Sequence, residues 1–184
     1  MTAPEAITIE PLDGPAAARA EPAFRLVYAE VFAEEPYEET PESVAAAFRR
    51  FRSQVRKSTF RAALARTAGG EPVGIAYGHP LSAAADWWDR LVTPVPAELR
   101  REDGQRTFGL MEFAVRKRWR QLGVGRRLHE ALLAGANEER VLLNALPAAE
   151  AAHAAYRSWG YRKVGEARPW EGAALHDVMV LQLC

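Results

Sequence analysis

Hydrophobic positions in the first half of the chain switch between the spacing of a strand and that of a helix. Ile7 and Ile9 alternate with polar residues, whereas between Pro15 and Ala33 the apolar residues recur at near-helical intervals. Thr40 is a suitable N-cap for a second helical pattern. The elements predicted for this half are a strand at 7–10, a helix at 15–33, a helix from 41, and a hairpin of strands 58–66 and 73–78 around a Gly-Gly turn.

The second half alternates strands with helices. Between the halves, residues 83–106 look irregular, and a connection of that length tends to be functional or partly structured. The predicted elements are a strand at 107–115, a helix from 124 to about 135, a strand at 140–145, a helix from 147 to 160, and strands at 161–165 and 175–183. A hairpin followed by alternating strands and helices predicts an α/β fold with a mixed sheet.

Composition and charge limit the classes of protein. Of the 184 residues 48% are hydrophobic and 26% charged, an ordinary globular balance that predicts a single domain over residues 1–184. The 24 basic and 24 acidic side chains cancel, so neither nucleic acid nor a membrane surface is an expected partner. The lone cysteine, Cys184, excludes an intrachain disulfide. The first residues lack a signal-peptide pattern, so we expect a cytoplasmic protein.

A basic turn precedes the helix predicted at 124. Six basic residues lie between positions 116 and 127 of a chain whose net charge is zero. The first turn of a helix has unpaired N–H groups, and Gly123 and Gly125 would let phosphate oxygens approach them, which predicts a ligand with several phosphates. A plain helix entrance with a solvated basic face is the alternative. A dinucleotide motif would need glycine where Leu128 stands, and a Walker loop is absent.

Two segments carry a resemblance to a known family. Val115 and the run Arg-Gln-Leu-Gly-Val-Gly at 120–125 resemble the acetyl-CoA motif of the GNAT superfamily of N-acyltransferases, Gln/Arg-x-x-Gly-x-Gly/Ala. Residues 154–165 resemble its second signature, a helix with a tyrosine followed by glycine and an aromatic residue. The resemblance covers 107–166 and implies a mixed, mostly antiparallel central sheet flanked by helices. It also implies acetyl-CoA as the co-substrate.

The resemblance assigns the coenzyme to this turn and to the two strands around it. Phe113 to Val115 would run along pantetheine, the N–H groups from Gln121 to Arg126 would bind the diphosphate, and Asn144 would flank the thioester. A strand-end asparagine is, however, about as often a turn former. The implied coenzyme-binding residues are Phe113, Ala114, Val115, Arg120, Gln121, Leu122, Gly123, Val124, Gly125, Arg126 and Asn144.

Tyr156 and Glu112 are the candidate catalytic residues. Tyr156 could protonate the leaving thiolate, because the pKa of a phenol, near 10, is close to that of a thiol. Its alternative is a core tyrosine with a satisfied hydroxyl. Glu112 lies on an otherwise apolar strand, where a carboxylate must be paired, open to solvent or raised in pKa, and a raised pKa suits a base. Its alternative is a salt bridge to an arginine such as Arg61.

Several other residues have weaker patterns. His153 is expected to face solvent. Trp87 and Trp88 could form a lid or pack against the protein body. The acidic residues within 34–39 could attract a cationic amine, although a solvated acidic loop is the plainer interpretation. No metal is predicted, since none of the remaining histidines has metal-ligand spacing: His79, His129 and His176.

The resulting functional prediction is direct transfer of an acetyl group from acetyl-CoA to a primary amine. The expected acceptor is a small-molecule or peptide amine, and the apolar last strand, Val178 to Leu183, could pair across a homodimer. Two other classes stay open. One is a catalytically degenerate protein that binds acyl-CoA as a sensor or scaffold, and the other is a nucleotide-binding regulator.

Overall fold

The computed structural model describes residues 5–183. Its strands are β1 (Ile7–Asp13), β2 (Arg61–Thr67), β3 (Pro72–Pro80), β4 (Thr107–Val115), β5 (Arg140–Ala145), β6 (Arg162–Ala167) and β7 (His176–Gln182). Its helices are α1 (Gly14–Arg19), α2 (Glu21–Phe32), α3 (Pro41–Gln54), α4 (Ala97–Arg100), α5 (Val124–Leu133) and α6 (Glu150–Ser158). Short 3-10 turns cover Trp87–Arg90 and Lys117–Trp119.

The seven strands form one mixed sheet in the order β1-β2-β3-β4-β5-β7-β6. The pairs β1–β2, β2–β3, β5–β7 and β6–β7 are antiparallel, and β4–β5 is parallel. The parallel ladder joins Thr107–Gly109 to Arg140–Leu142, after which β4 continues to Val115. The predicted fold class, α/β with a mostly antiparallel sheet flanked by helices, is confirmed.

The last strand occupies an inner position in this sheet. β7 lies between β5 and β6, and its backbone is paired with both. A strand whose two edges are already paired has no free ladder to offer a second copy. The prediction that residues 178–183 pair across a dimer is therefore wrong.

The chain divides into two compact units that share β4. One unit comprises the described residues up to His79 together with Met111–Ala136, and the other comprises Pro80–Leu110 and the described residues from Asn137 onward. The β4 residues up to Leu110 belong to the second unit, and those from Met111 onward belong to the first. The single domain over 1–184 stays a prediction.

Aromatic side chains fill the core of the first unit. Phe24, Phe48 and Phe51 are completely buried, and the Phe51 ring lies 5.1 Å from that of Tyr77 in an edge-to-face arrangement. Burying each such side chain contributes about 1.5–3 kcal/mol. Helices α2 and α3 supply the three phenylalanines and β3 supplies the tyrosine. This core fixes the helices against the sheet.

The helix predicted at 15–33 is two helices. α1 ends at Arg19, and α2 begins at Glu21 with Pro22 in its first turn. Proline has no N–H, and its ring would clash with the carbonyl four residues earlier, so the chain restarts the helix at that point. The predicted N-cap of α3 is confirmed, since the Ser43 N–H donates to Thr40 Oγ1 at 3.2 Å.

A buried polar network holds the connection 83–106 within the second unit. Glu102 accepts hydrogen bonds from Trp88 Nε1 at 3.1 Å, from Thr107 Oγ1 at 2.8 Å and from Arg140 Nη2 at 2.8 Å. The Arg140 guanidinium also stacks on the Trp88 ring, 5.2 Å from its centre. Trp88 is therefore a packed residue of the protein body.

Candidate active site

The basic turn after β4 ends in an open helix start. Gln121 and Gly123 have positive φ values of 62° and 79°, and Gly123 is the N-cap of α5. No side chain caps this end, and a Cβ built on Gly123 would meet nothing within 4 Å. The first-turn N–H groups of α5 therefore have no capping side chain, which leaves them available to an anion. Gln121, Leu122 and Gly123 are exposed, and Gly125 is half-buried.

Arg120 uses its guanidinium inside the protein. Its Nε donates to the Val115 carbonyl at 2.7 Å, and its two Nη atoms donate to the Glu34 carboxylate at 2.9 and 3.1 Å. Its backbone N–H donates to the Lys117 carbonyl at 3.2 Å. This bidentate pair has the geometry of a strong ion pair. Arg120 thereby connects the basic turn to the end of β4 and to Glu34.

Several other basic side chains of the turn are also paired. Arg116 binds Glu30 at 2.9 Å and Glu71 at 2.7 Å, and the hydrogen bond that it donates to Glu30 is the main cause that raises the pKa of Arg116. Arg118 stacks on a tryptophan ring, 5.0 Å from its centre. The remaining pairs are Arg126 with Glu130 at 3.0 Å and Arg127 with the Ile7 carbonyl at 2.9 Å. The local positive charge is smaller than the count of basic residues suggests.

Glu112 lies on β4 with its carboxylate removed from water. The residue is half-buried, and burial of the carboxylate raises its pKa to about 8, with the negative charge of Glu39 as the second cause. The positive charge of Arg50, an exposed residue on α3, acts in the opposite direction. A carboxyl group with this pKa changes protonation near neutral pH, as a general base should.

Three tyrosines lie near enough to Glu112 for its charge to act on them. Burial raises the pKa of Tyr28, Tyr37 and Tyr77, and the charge of Glu112 is the next cause for each of them. The Tyr28 hydroxyl donates to Glu39 Oε1 at 3.0 Å. The first unit thus contains a polar and aromatic cluster near Glu112. The sequence analysis did not predict this cluster, although the helical spacing that places Tyr28 on the buried face of α2 could have indicated it.

The acidic link, residues 34–39, is not a uniformly solvated loop. Glu35 and Glu38 are exposed, as that interpretation expects. Glu34 is paired with Arg120, and Glu39 accepts the Tyr28 hydrogen bond. The solvated-loop interpretation is therefore wrong for Glu34 and Glu39, because tertiary contacts recruit both carboxylates.

Tyr156 and Asn144 lie in the second unit. Tyr156 is 9% exposed, and its ring is 5.8 Å from that of Trp159 and 5.5 Å from that of Tyr161. Asn144 is half-buried on β5 opposite Val178, and its Oδ1 is buried without a hydrogen-bond partner among residues 5–183. An unpaired buried oxygen of this kind is suited to a donor from a ligand.

The prediction that His153 faces solvent is wrong. His153 is 6% exposed, and its Nε2 lies 3.6 Å from Asp177 Oδ2. Asp177 also approaches Lys163 Nζ at 2.9 Å. His153 and Tyr156 are three residues apart, so they lie on the same buried face of α6. A cavity of about 220 Å³ is lined by Pro147, Glu150, His153, Ala154, Arg157 and Asp177.

Within residues 5–183, no group of three or more His, Cys, Asp or Glu side chains is arranged to hold a metal ion. None of the described helices combines the length and the apolarity that crossing a membrane requires.

Comparison with known proteins assigns the family. A sequence model described as "Acetyltransferase (GNAT) family" matches residues 24–161. The chain therefore belongs to the GNAT acetyltransferase family, whose members transfer acetyl groups from acetyl-CoA. A search of curated proteins finds no match.

Solved structures support the same fold. A GNAT-family acetyltransferase from Staphylococcus aureus is similar with a TM-score of 0.67 and 14% identity, covering 97% of this chain and 100% of that one. The ribosomal-protein-S18-alanine N-acetyltransferase of Escherichia coli gives 0.63 and 17%, covering 97% and 94%. A histone acetyltransferase HPA2-related protein from Corynebacterium glutamicum gives 0.62 and 22%, covering 95% and 94%. At these identities the similarity shows the fold alone.

Proposed function

We propose that this protein transfers an acetyl group directly from acetyl-CoA to a primary amine. The observation that carries the proposal is the uncapped start of α5, with Gly123 in a left-handed conformation directly after β4 and its basic turn. Backbone N–H groups at such an end bind anions, and the helix dipole adds to the attraction. A diphosphate fits this position in a protein of this family.

The coenzyme is proposed to bind along the turn and the second half of β4. Backbone N–H groups from Gln121 to Arg126, including those of Leu122, Gly123, Val124 and Gly125, would bind the diphosphate. Phe113, Ala114 and Val115 would bind pantetheine through their backbone. Arg120 is proposed to hold the turn in place, because its guanidinium is occupied by Val115 and Glu34. The buried, unpaired Oδ1 of Asn144 supports a role as an acceptor for a ligand N–H.

The proposed chemistry needs a base and an acid. The acceptor ammonium loses a proton to the Glu112 carboxylate, and the neutral amine nitrogen then forms a bond to the thioester carbon. The carbon–sulfur bond breaks, and the leaving thiolate takes a proton from Tyr156. The pKa of about 8 for Glu112 supports the first step, because a base is most effective near the working pH. No covalent enzyme intermediate is required.

The proposal is tested by binding and turnover on the same protein. Calorimetry with acetyl-CoA should show binding, and a panel of small-molecule and peptide amines should release free coenzyme from at least one acceptor. Binding without release from any amine would favour the alternative, an acyl-CoA sensor or scaffold. Absence of acetyl-CoA binding by folded protein would contradict the proposal. A cytoplasmic location and a homodimer stay predictions.

A further inference from the structure

The Glu39 carboxylate lies beside buried aromatic residues, and only one of its two oxygens accepts a hydrogen bond within the described chain. Its Oε1 accepts from Tyr28, and its backbone N–H donates to the Phe32 carbonyl at 2.7 Å. Its Oε2 is buried and has no hydrogen-bond partner among the described residues. A buried carboxylate oxygen without a donor is costly. This oxygen is therefore able to accept a hydrogen bond from a donor outside the described chain.

The charges around Glu39 favour a cation. Glu39 and Glu112 are close enough for the charge of Glu39 to raise the pKa of Glu112, so the two carboxylates repel each other. Arg50 acts against this effect, but it is exposed to solvent, which screens its charge. A ligand with one positive group at each carboxylate would offset both negative charges.

The aromatic wall next to Glu39 suits the same kind of ligand. The rings of Tyr28 and Phe32 lie 4.4 Å apart, and those of Phe32 and Tyr37 lie 4.8 Å apart. Aromatic faces attract ammonium groups, and they strengthen charge interactions by excluding water. Tyr28 and Phe32 are buried, so they act on the Glu39 carboxylate mainly by excluding water from it.

The acidic link that carries Glu39 is held at both ends. Glu34 is fixed by its bidentate pair with Arg120, and Glu39 is fixed by the Tyr28 hydroxyl. A carboxylate held in place loses less conformational entropy when it binds a ligand. The link is therefore organised for recognition before any acceptor arrives.

We propose that Glu39 selects the acceptor, and that the acceptor is an amine with a second positive charge, such as a diamine. The inference rests on the proposed function and deepens it from a primary amine to a dicationic one. The reacting ammonium gives its proton to Glu112 and becomes neutral before it attacks. Only a second cation therefore keeps its charge during the transfer and continues to bind Glu39 Oε2.

Three acceptors with four carbons and the same reacting group test the proposal. These are 1,4-diaminobutane, n-butylamine and 4-aminobutanoate, whose far ends are positive, neutral and negative. Wild-type protein should prefer the diamine over each of the others by about tenfold or more in kcat/KM, the scale of one charge-assisted hydrogen bond. Glu39→Gln should reduce this preference to about threefold or less, mainly by raising KM for the diamine, with acetyl-CoA affinity unchanged.

Two control variants separate recognition from structure. Glu38→Gln removes the same charge from an exposed position of the same link and should keep the preference. Tyr28→Phe removes the hydrogen bond that holds Glu39 while it retains the carboxylate, so it should reduce the preference less than Glu39→Gln does. If Glu38→Gln or Tyr28→Phe abolished the preference as fully as Glu39→Gln, the proposal would be overturned.

The remaining outcomes are equally decisive. Equal use of 4-aminobutanoate and 1,4-diaminobutane by the wild type would overturn the role of Glu39. If no probe is turned over, calorimetry of 1,4-diaminobutane on the protein saturated with coenzyme A decides, and absence of binding overturns the proposal. Titration with acetyl-CoA distinguishes failure of the proposed acceptor class from failure of the proposed function. Normal acetyl-CoA binding without diamine preference refutes the acceptor class alone, whereas absent acetyl-CoA binding refutes the proposed function.

Discussion

Glu112 shows how the surroundings of a single residue change its chemistry. An ordinary glutamate has a pKa of 4.5, and burial next to Glu39 raises that of Glu112 to about 8. The proton is then held more tightly in the folded protein than in the unfolded chain. The contribution of Glu112 to stability is therefore fully present below pH 4.5 and is lost as the pH rises through about 8.

Replacing Glu112 with glutamine should alter both activity and stability. In the wild type we expect kcat/KM to rise with pH up to about 8, because the carboxylate form is the base. Glu112→Gln should lower kcat at least about tenfold, because a positioned base contributes at least that much to the rate. It should also flatten the rise of kcat/KM with pH. Denaturant unfolding at pH 5 and pH 9 should show a smaller loss of stability with rising pH in the variant. The exposed Glu35→Gln should match the wild type in both measurements.

Tyr156→Phe tests the proposed acid. Loss of the hydroxyl should slow turnover at least tenfold, since positioned acids contribute about a hundredfold or more, with little change in acetyl-CoA affinity. Tyr161→Phe makes the same change in the neighbouring buried ring, 5.5 Å away, and should leave the rate near that of the wild type. Equal single-turnover rates for Tyr156→Phe and the wild type would remove Tyr156 from the mechanism.

At the scale of elements, the junction of β4 with α5 depends on one backbone conformation. Gly123 adopts a φ of 79°, and a side chain in the left-handed region costs about 1–2 kcal/mol. Gly123→Ala should therefore destabilise the turn and weaken acetyl-CoA binding by about tenfold. The measurement is calorimetric titration of the variant.

A glycine at the other end of α5 provides the matched control. Gly135 has a φ of 73° and, like Gly123, open space where a Cβ would stand. Gly135→Ala should lower stability by a comparable amount without changing acetyl-CoA affinity. If both variants lost affinity equally, backbone strain alone would explain the effect, and the α5 start would lose its role as the phosphate site.

At the scale of the whole molecule, ligand binding should be visible as stabilisation. Acetyl-CoA at a hundred times its dissociation constant should add about 2.7 kcal/mol to the free energy of unfolding. For a chain of this length, that corresponds to a rise in Tm of roughly 5–10 °C. NAD at the same concentration should give a much smaller shift. A larger shift with NAD would instead support a nucleotide-binding regulator.

Sequence periodicity identified most elements but placed several boundaries poorly. β4 and β5 were predicted at their observed residues, since mostly apolar segments of nine and six residues between polar turns leave little choice of boundary. α6 begins at Glu150 although the prediction starts it at Pro147, because a turn from Ala149 to the Leu146 carbonyl comes first. Whether that turn joins a helix depends on packing and not on local spacing.

The α/β class and the glycine-containing turn could be predicted from the sequence, because periodicity and backbone preference act over a few neighbouring residues. The family was implied by the resemblance of two short motifs. Which carboxylates have partners could be read only from the folded chain. Arg120 binds Glu34 across 86 positions, and Glu39 depends on its contact with Tyr28. Such pairs form only when the fold brings distant segments together and removes water from them. The burial and the partners of Glu34 and Glu39 are therefore properties of the folded chain and not of the local sequence.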